Sequence, residues 1–287
     1  MFSRESGPQH PPSDGPASVK GSIYLAFARK EGQTRLTDLH QMSPLRVLFP
    51  IAADGDPITA ALINTGGGLV GGDALSISAS IGAAAAALLV AQAAEKVYRS
   101  TGADCRIDMS LTAASGAWLE MLPQETILFD GARLRRRTRI DAMPGATILA
   151  GEIQVFGRLA RGEEMRSGLL HDAWEIRVAD QLVWQDSLHL DGAITERLDH
   201  PAGFGGARVA ATLIHLCDNP SAALSIVRDV LAESFPGRAS ASLVNGVIVA
   251  RWLGRDPLTL RSSFAKAWIA LRAAKKFPAT LPRLWHI

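Results

Sequence analysis

Asn64-Thr-Gly-Gly-Gly-Leu-Val-Gly-Gly-Asp73 runs directly into Ala74-Leu-Ser-Ile-Ser-Ala-Ser-Ile81, and the junction of the two pieces decides the kind of fold the chain can have. Gly66, Gly68 and Gly71 satisfy the G-x-G-x-x-G spacing of dinucleotide-binding loops. Such a loop must open a helix, because the pyrophosphate sits on the helix N-terminus. Residues 74–81 instead alternate apolar and small polar side chains with period two, which is the mark of a strand. A P-loop is excluded too, since Asp73 rather than Lys comes after Gly72. The glycines therefore read as a tight backbone crossing, with Gly67, Gly68, Gly71 and Gly72 permitting positive φ. Asp73 is then placed to accept hydrogen bonds from loop amides left without partners. The alternative is a stand-alone β-rich enzyme or nucleotide-binding protein that uses the Gly66–Asp73 loop.

Outward from this stretch, period two dominates from Ser18 to about Cys217. Ile23, Leu25 and Phe27 alternate with Tyr24, Ala26 and Ala28, and Glu31-Gly32 offers a turn into Thr34–Gln41. Cys105, Ile107, Met109 and Leu111 alternate with Arg106, Asp108 and Ser110, as on a sheet with one wet face. Trp174, Ile176 and Val178 repeat the pattern, and Ala179-Asp180 leads into Leu182–Leu190 as a hairpin. Asp130-Gly131 and Pro144-Gly145 mark further turns. Ala207–Cys217 is apolar on both faces, as a strand buried between layers must be. Ala83–Ala94 is conflicted: its alanines favour helix and its surroundings favour strand.

The last quarter changes period. Asn219-Pro220 and Asp256-Pro257 each read as a cap followed by a first-turn proline. Leu224, Val227, Val230 and Leu231 lie on one face of the first helix, and Phe264, Trp268 and Leu271 on one face of the second. One strand, Leu243–Trp252, separates them. No internal repeat stands out. The expected fold is mainly β, with multi-stranded sheets forming an elongated domain over residues 18–287 and two helices near the C-terminus. Residues 1–17, rich in Pro, Ser and Gly, read as a disordered tail without a secretory h-region.

Composition narrows the function. Of 287 residues, 47% are hydrophobic and 20% charged, which is ample for a packed core. Lys and Arg total 30 against 28 Asp and Glu, leaving +2, too little to draw nucleic acid or an anionic membrane. Ala74–Ala94 carries no charge over nearly the length of a membrane span. Alanine inserts weakly and serines interrupt the stretch, so it reads as buried protein. Two cysteines, Cys105 and Cys217, exclude a disulfide scaffold and a Cys-x-x-Cys zinc site, and they suit a reducing compartment.

Arg133, Arg135, Arg137 and Arg139 recur at every second position, with Arg136 between them. Four guanidinium groups on one strand face make either a solvated surface paired with carboxylates or a docking stripe for an acidic partner surface or for phosphate. His215 and Cys217 share a strand face, with Asp218 adjacent, and are the candidate metal ligands; His189 and Asp191 have the same spacing. A high-affinity site needs three or four ligands, which neither pair supplies in sequence. Glu120 with Glu125, and Glu163 with Glu164, are carboxylate pairs of the sort a glycosidase uses. Nucleophile elbows and His-Glu-x-x-His are absent, and the chain reads as non-catalytic.

Taken in order, a set of motifs resembles the UreD family of urease accessory proteins, called UreH in some organisms. Pro44-Leu-Arg-Val-Leu-Phe-Pro50 resembles an early strand of that family, and Asn64–Asp73, with Gly67, Gly68, Gly71, Gly72 and Asp73, its glycine block. Lys96, Tyr98, Arg99 and Ser100 resemble its Lys-x-Tyr-Arg-Ser segment. Leu122-Pro-Gln-Glu-Thr-Ile127, carrying Pro123, Gln124 and Thr126, is similar to its Leu-Pro-Gln block, which continues in Phe129-Asp-Gly-Ala132. Gly157, Arg158, Gly162 and Glu163, within Gly157-Arg-Leu-Ala-Arg-Gly-Glu163, also match, as does Pro282-Arg-Leu-Trp285. Val90-Ala91 stands where the family often has two threonines, and Met121 where it often has Trp.

The resemblance spans nearly all of residues 18–287. It implies a β-rich, non-catalytic, cytoplasmic scaffold that binds UreF, which recruits the GTPase UreG, and that docks on apo-urease while nickel is inserted. It implies no tightly bound cofactor, no nucleic-acid or membrane partner, and nickel in transit along a polar route whose lining the motifs do not assign.

Overall fold

A computed structural model describes residues 18–233 and 235–286; the expected tail over residues 1–17 lies outside them. Strands appear where period two runs. A hairpin of β1 (Lys20–Lys30) and β2 (Gln33–Met42) comes first, then β3 (Leu45–Leu48) and β4 (Ile58–Asn64). The chain next alternates between two sheets: β5 (Ala74–Ile81) in the first, β6 (Ala86–Ala91) in the second, with the short β7 (Glu95–Val97) leading out. The same move repeats with β8 (Cys105–Ala113), β9 (Trp118–Leu122) and β10 (Glu125–Leu128), and again with β11 (Arg133–Ala142) and β12 (Thr147–Phe156). A hairpin of β13 (Ser167–Val178) and β14 (Gln181–Ala193) closes the first sheet. After the short helix α1 (Ile194–Asp199), β15 (Val209–Leu216), β16 (Arg238–Val244) and β17 (Val247–Gly254) complete the second. Helices α2 (Pro220–Ala232) and α3 (Pro257–Ala274) cover it.

Successive coils stack in parallel, β1 on β5, β5 on β8, β8 on β11 and β11 on β13, with β4, β6, β9 and β12 parallel in the other sheet. This is a solenoid-like sandwich of seven and ten strands, in which each coil buries its apolar face on its neighbours. The repeat is in backbone geometry rather than in residue identity, which is why none stands out in the sequence. Equivalent turns stack at one end: Ala85, Ala117 and Ala146 amides bond to Gly82, Ala114 and Met143 carbonyls at 3.0–3.1 Å. Each turn has a positive-φ residue, Ala84 (52°), Gly116 (68°) or Gly145 (79°).

Between the sheets, Leu25, Leu111, Ile140 and Leu170 meet Ala60, Leu89, Leu119 and Ile148. A second core lies between the outer face of the second sheet and the helices, where Leu88, Leu149 and Trp252 meet Phe264, Trp268 and Trp285. Strand β12 is buried along its whole length because both cores press on it. Both long helices start as the sequence dictates, the Asn219 and Asp256 side chains accepting the Ala222 and Thr259 amides at 3.2 and 2.7 Å.

One open conflict is decided, one strand is divided and one helix is added. Ala83–Ala94 contains strand β6, because burial between two layers overrides alanine's helix preference. Leu243–Trp252 is two strands joined at Asn245-Gly246, whose φ values of 48° and 84° supply a tight hairpin turn. Helix α1 is additional. The uncharged Ala74–Ala94 stretch forms β5, a turn and β6, and no described helix is long and apolar enough to cross a membrane.

Candidate functional site

The turns of residues 82–85, 114–117, 143–146 and 179–180 lie at one end, so the family-like motifs, which occupy the return connections, gather at the other. The glycine loop is built there from the inside. Asp73 accepts the amides of Val19 at 2.8 Å and Val70 at 2.9 Å, as its position after the glycines predicts. Gly68 (φ 143°) lies so close to its surroundings that a Cβ would stand 2.7 Å from the Lys96 carbonyl oxygen and against the Tyr98 ring. Gly71 is different from expectation: its φ is not positive, and it is glycine because a Cβ would collide with the Ser100 side chain and approach the Ala103 carbonyl to 2.7 Å. The Lys96–Ser100 segment is thus the wall on which the glycines rest. Leu69 exchanges backbone bonds with Lys96 and Tyr98, and the Tyr98 hydroxyl donates to the Gly67 carbonyl at 3.0 Å.

A second cluster leans on the first. Tyr98 meets Phe129 edge-on at 4.9 Å, and the Arg158 guanidinium lies 4.6 Å from the centre of the Phe129 ring. Glu163 accepts from Arg158 and from the Asp130 amide, and Asp130 holds Arg99 at 2.8 Å together with the Arg166 and Ser167 amides. Gly157 and Gly162 have φ of 110° and 68° and turn the chain there. Gln124 donates to the Leu284 carbonyl at 2.9 Å and so ties this end to the C-terminal segment, while Thr126 and Pro123 face a cavity.

That cavity, of about 230 Å³, extends from Asn64, Gly67 and Gly68 into the space between the sheets, with Leu62, Ile77, Met109 and Met121 among its apolar walls. Its polar lining is unusual for a core. Glu95, bonded by the Asn64 amide at 3.1 and 3.2 Å, is pushed up to about 7 by burial. Deeper, the Arg136 guanidinium donates to Thr126 (3.1 Å), Glu152 (2.5 Å) and both oxygens of Asp172. Gln154 donates to Asp172 at 2.8 Å and the Trp174 indole to Glu152 at 3.0 Å. Burial and the neighbouring Asp172 carboxylate push Glu152 up to about 8, against the pull of Arg136. Burial and the like charge of Asp172 thus favour the protonated acid over the carboxylate at Glu152 within this group of two acids and one base. Such a group can exchange a proton for a cation.

Of these interior residues, sequence motifs single out only Thr126. The available signal for the rest is polarity at apolar parity: Arg136 is the arginine out of step with its four neighbours, Glu152 breaks the apolar run Ile148–Val155, and Asp172 sits between Leu170 and Trp174. The stripe itself is a paired, solvated face. Arg133 and Arg135 share Asp104 at 2.7 and 2.6 Å, Arg137 meets Glu175 at 3.3 Å, and Arg139 meets Asp141 at 2.8 Å.

The candidate metal ligands do not assemble. The His215 Nδ1–H donates to the Ile148 carbonyl at 2.8 Å, and burial depresses that imidazole to about 4. Burial also raises the Cys217 thiol, and Asp218 faces Lys275 at 3.6 Å. Among the described residues no group of three or more His, Cys, Asp or Glu is arranged to hold a metal. The carboxylate pairs are separately engaged: Glu120 by Trp118, Trp268 and Arg272, Glu125 by Arg261, Glu163 by Arg158 and Glu164 by Arg208.

A solenoid-like β sandwich with a motif-dense loop end and helices on its second sheet is the framework into which the comparisons fit. The family of UreD urease accessory proteins matches residues 19–286, and the chain belongs to that family. The urease accessory protein UreD of Magnetococcus marinus is 43% identical over 280 residues, covering 96% of each chain. That of Azorhizobium caulinodans is 40% identical over 267 residues, covering 93% of this chain and 96% of its own.

Proposed function

We propose that the chain serves urease maturation as a non-catalytic cytoplasmic scaffold that, with UreF and UreG, enables nickel insertion into apo-urease. Nickel is cargo here rather than a resident cofactor, and it moves along the few polar side chains of the largely apolar cavity between the sheets. The observation that carries this reading is the buried Arg136–Glu152–Asp172 cluster at the inner end of a cavity that begins at Glu95. Oxygen and amide contacts of this kind bind a divalent ion weakly and exchangeably, as transit requires. Two features support docking to protein partners. Met42, Leu48, Phe49 and Ile51 are exposed apolar side chains close together in sequence, and the Gly66–Asp73 loop spends its amides internally. The Gly66, Leu69, Val70, Gly72 and Asp73 amides have protein acceptors, so most of the loop's amides are committed within the protein rather than to a nucleotide phosphate.

The test is complementation of a strain lacking the gene. Deletion should leave urease protein present but nickel-poor and inactive. Glu152→Gln, which mimics the protonated acid and keeps its hydrogen bonds, should fold normally yet restore less nickel per urease than the parent chain. Nickel-replete, active urease in the deletion strain would refute the maturation role, and full restoration by both Glu95→Gln and Glu152→Gln would refute the interior route.

A further inference from the structure

We propose that His171 and His189 form a two-imidazole site for a late first-row divalent cation on the solvent face of the first sheet. The two residues are direct partners in the antiparallel ladder of β13 and β14, so their side chains leave the same face side by side. The ring centroids are 5.3 Å apart at an interplanar angle of 67°, and the two Nδ1 atoms face each other at 3.3 Å. For an N–H···N hydrogen bond that separation is long. It is the bite of a chelate: two nitrogens bound to one ion at 2.0–2.1 Å and the tetrahedral angle lie about 3.3 Å apart.

The setting favours a cation over a lone hydrogen bond. Both ligands sit in the regularly paired part of a long hairpin, away from the bulge at Val183, so little ordering is needed when an ion binds. Asp191 lies two positions from His189 on the same strand face, and Asp191 and Asp104 together offset the charge of Arg135, the ladder neighbour of His171, and of Arg133, with Asp104 at 2.6 Å from Arg135 and Asp191 at 4.0 Å from Arg133. Imidazole pairs prefer Cu2+, Ni2+ and Zn2+ over Mg2+ or Ca2+. With two protein ligands, the remaining coordination positions stay open to water or to a donor from a docked protein, so the ion exchanges readily. This site is separate from the interior cavity and stands or falls independently of the route proposed above.

Isothermal titration of the full chain with NiCl2 and with CuCl2 decides it. The parent chain should bind one equivalent that is lost in His171→Ala and in His189→Ala alike, each weakening association by more than about tenfold, the least that loss of a direct ligand should cost when a supporting residue alone is worth that much. The double variant should be at least as weak as either single one, Cu2+ should bind more tightly than Ni2+, and Glu95→Gln/Glu152→Gln should keep the equivalent. Unchanged binding in the double histidine variant overturns the inference. So does loss of the equivalent in the carboxylate variant, which would assign the ion to the interior. An unchanged melting temperature of His189→Ala, whose side chain is exposed, separates lost ligation from lost fold.

Discussion

The two ends of the sandwich are made by the same strands and could hardly differ more. At the turn end each reversal is closed by its own short bond, as with the Ala117 amide on the Ala114 carbonyl at 3.0 Å, and leans only on the adjacent coil, as with the Ala114 amide on the Ile81 carbonyl at 2.9 Å. At the loop end the partners also come from well beyond the adjacent coil: Asp73 reaches Val19 across 54 positions and Gln124 reaches Leu284 across 160. Stability at the turn end is local and divisible, whereas at the loop end it is shared among residues that fail together. The family-like motifs sit at the shared end, because a surface that must keep one shape around a polar cavity cannot be assembled from independent turns.

Four measurements sharpen or break this contrast. The largest effect is expected from Arg136→Met, which leaves Glu152 and Asp172 buried without their cation and should cost about 3–5 kcal/mol in urea unfolding; a loss below about 1 kcal/mol would make the loop end as local as the turn end. Gly68→Val forces a side chain into Tyr98 and the Lys96 carbonyl at positive φ and should cost about 2–4 kcal/mol. Gly67→Ala, with nothing within 4 Å of its Cβ, should cost only about 1 kcal/mol.

The third measurement is the pH dependence of stability. Glu95 and Glu152 are raised from 4.5 to about 7 and about 8, so between those limits the folded chain binds more protons than the unfolded one. Their contribution to stability is then full below pH 4.5, is lost as pH rises from there through 7 and 8, and levels off above, while the depressed His215 adds an opposing slope between about pH 4 and 6.5. Glu152→Gln should remove a slope of up to about 1.4 kcal/mol per pH unit. Glu120, also raised by burial, adds a slope of the same sign that the variant leaves in place. An unaltered profile in Glu152→Gln would show that this carboxyl is not protonated in the folded state. The smallest effect belongs to the turn end. Ala84 occupies φ 52°, where glycine has no penalty, and Ala84→Gly should stabilise by about 0.5 kcal/mol without changing the other turns.

The strands and long helices are plain in the sequence, because period two, the Pro-marked caps and the apolar stripe of Phe264, Trp268 and Leu271 are local signals. Asp73 on loop amides and the four odd-numbered arginines on a wet face are legible for the same reason. The parallel stacking is not. Each coil pairs with residues about thirty positions away, and side-chain alternation is the same for a parallel neighbour as for a hairpin. The interior cluster is hidden for a related reason: a charged residue at apolar parity looks like noise until another strand brings its counter-charge. The Asn245-Gly246 hairpin, by contrast, carries a readable turn signal, but the apolar run around it looks continuous.

The second core sets a time order on the making of the chain. Trp268 and Arg272 on α3 close over Glu120 and Asp56, 148 and 216 positions earlier, and Leu284 caps Gln124 across 160. The outer face of the second sheet is therefore finished long before its cover exists. At about 5–20 residues per second, the interval between the emergence of β9 and that of α3 is on the order of 10 s. Throughout it, a broad apolar sheet face stands open on the nascent chain, and the hazard of aggregation falls within that interval rather than on the folded protein.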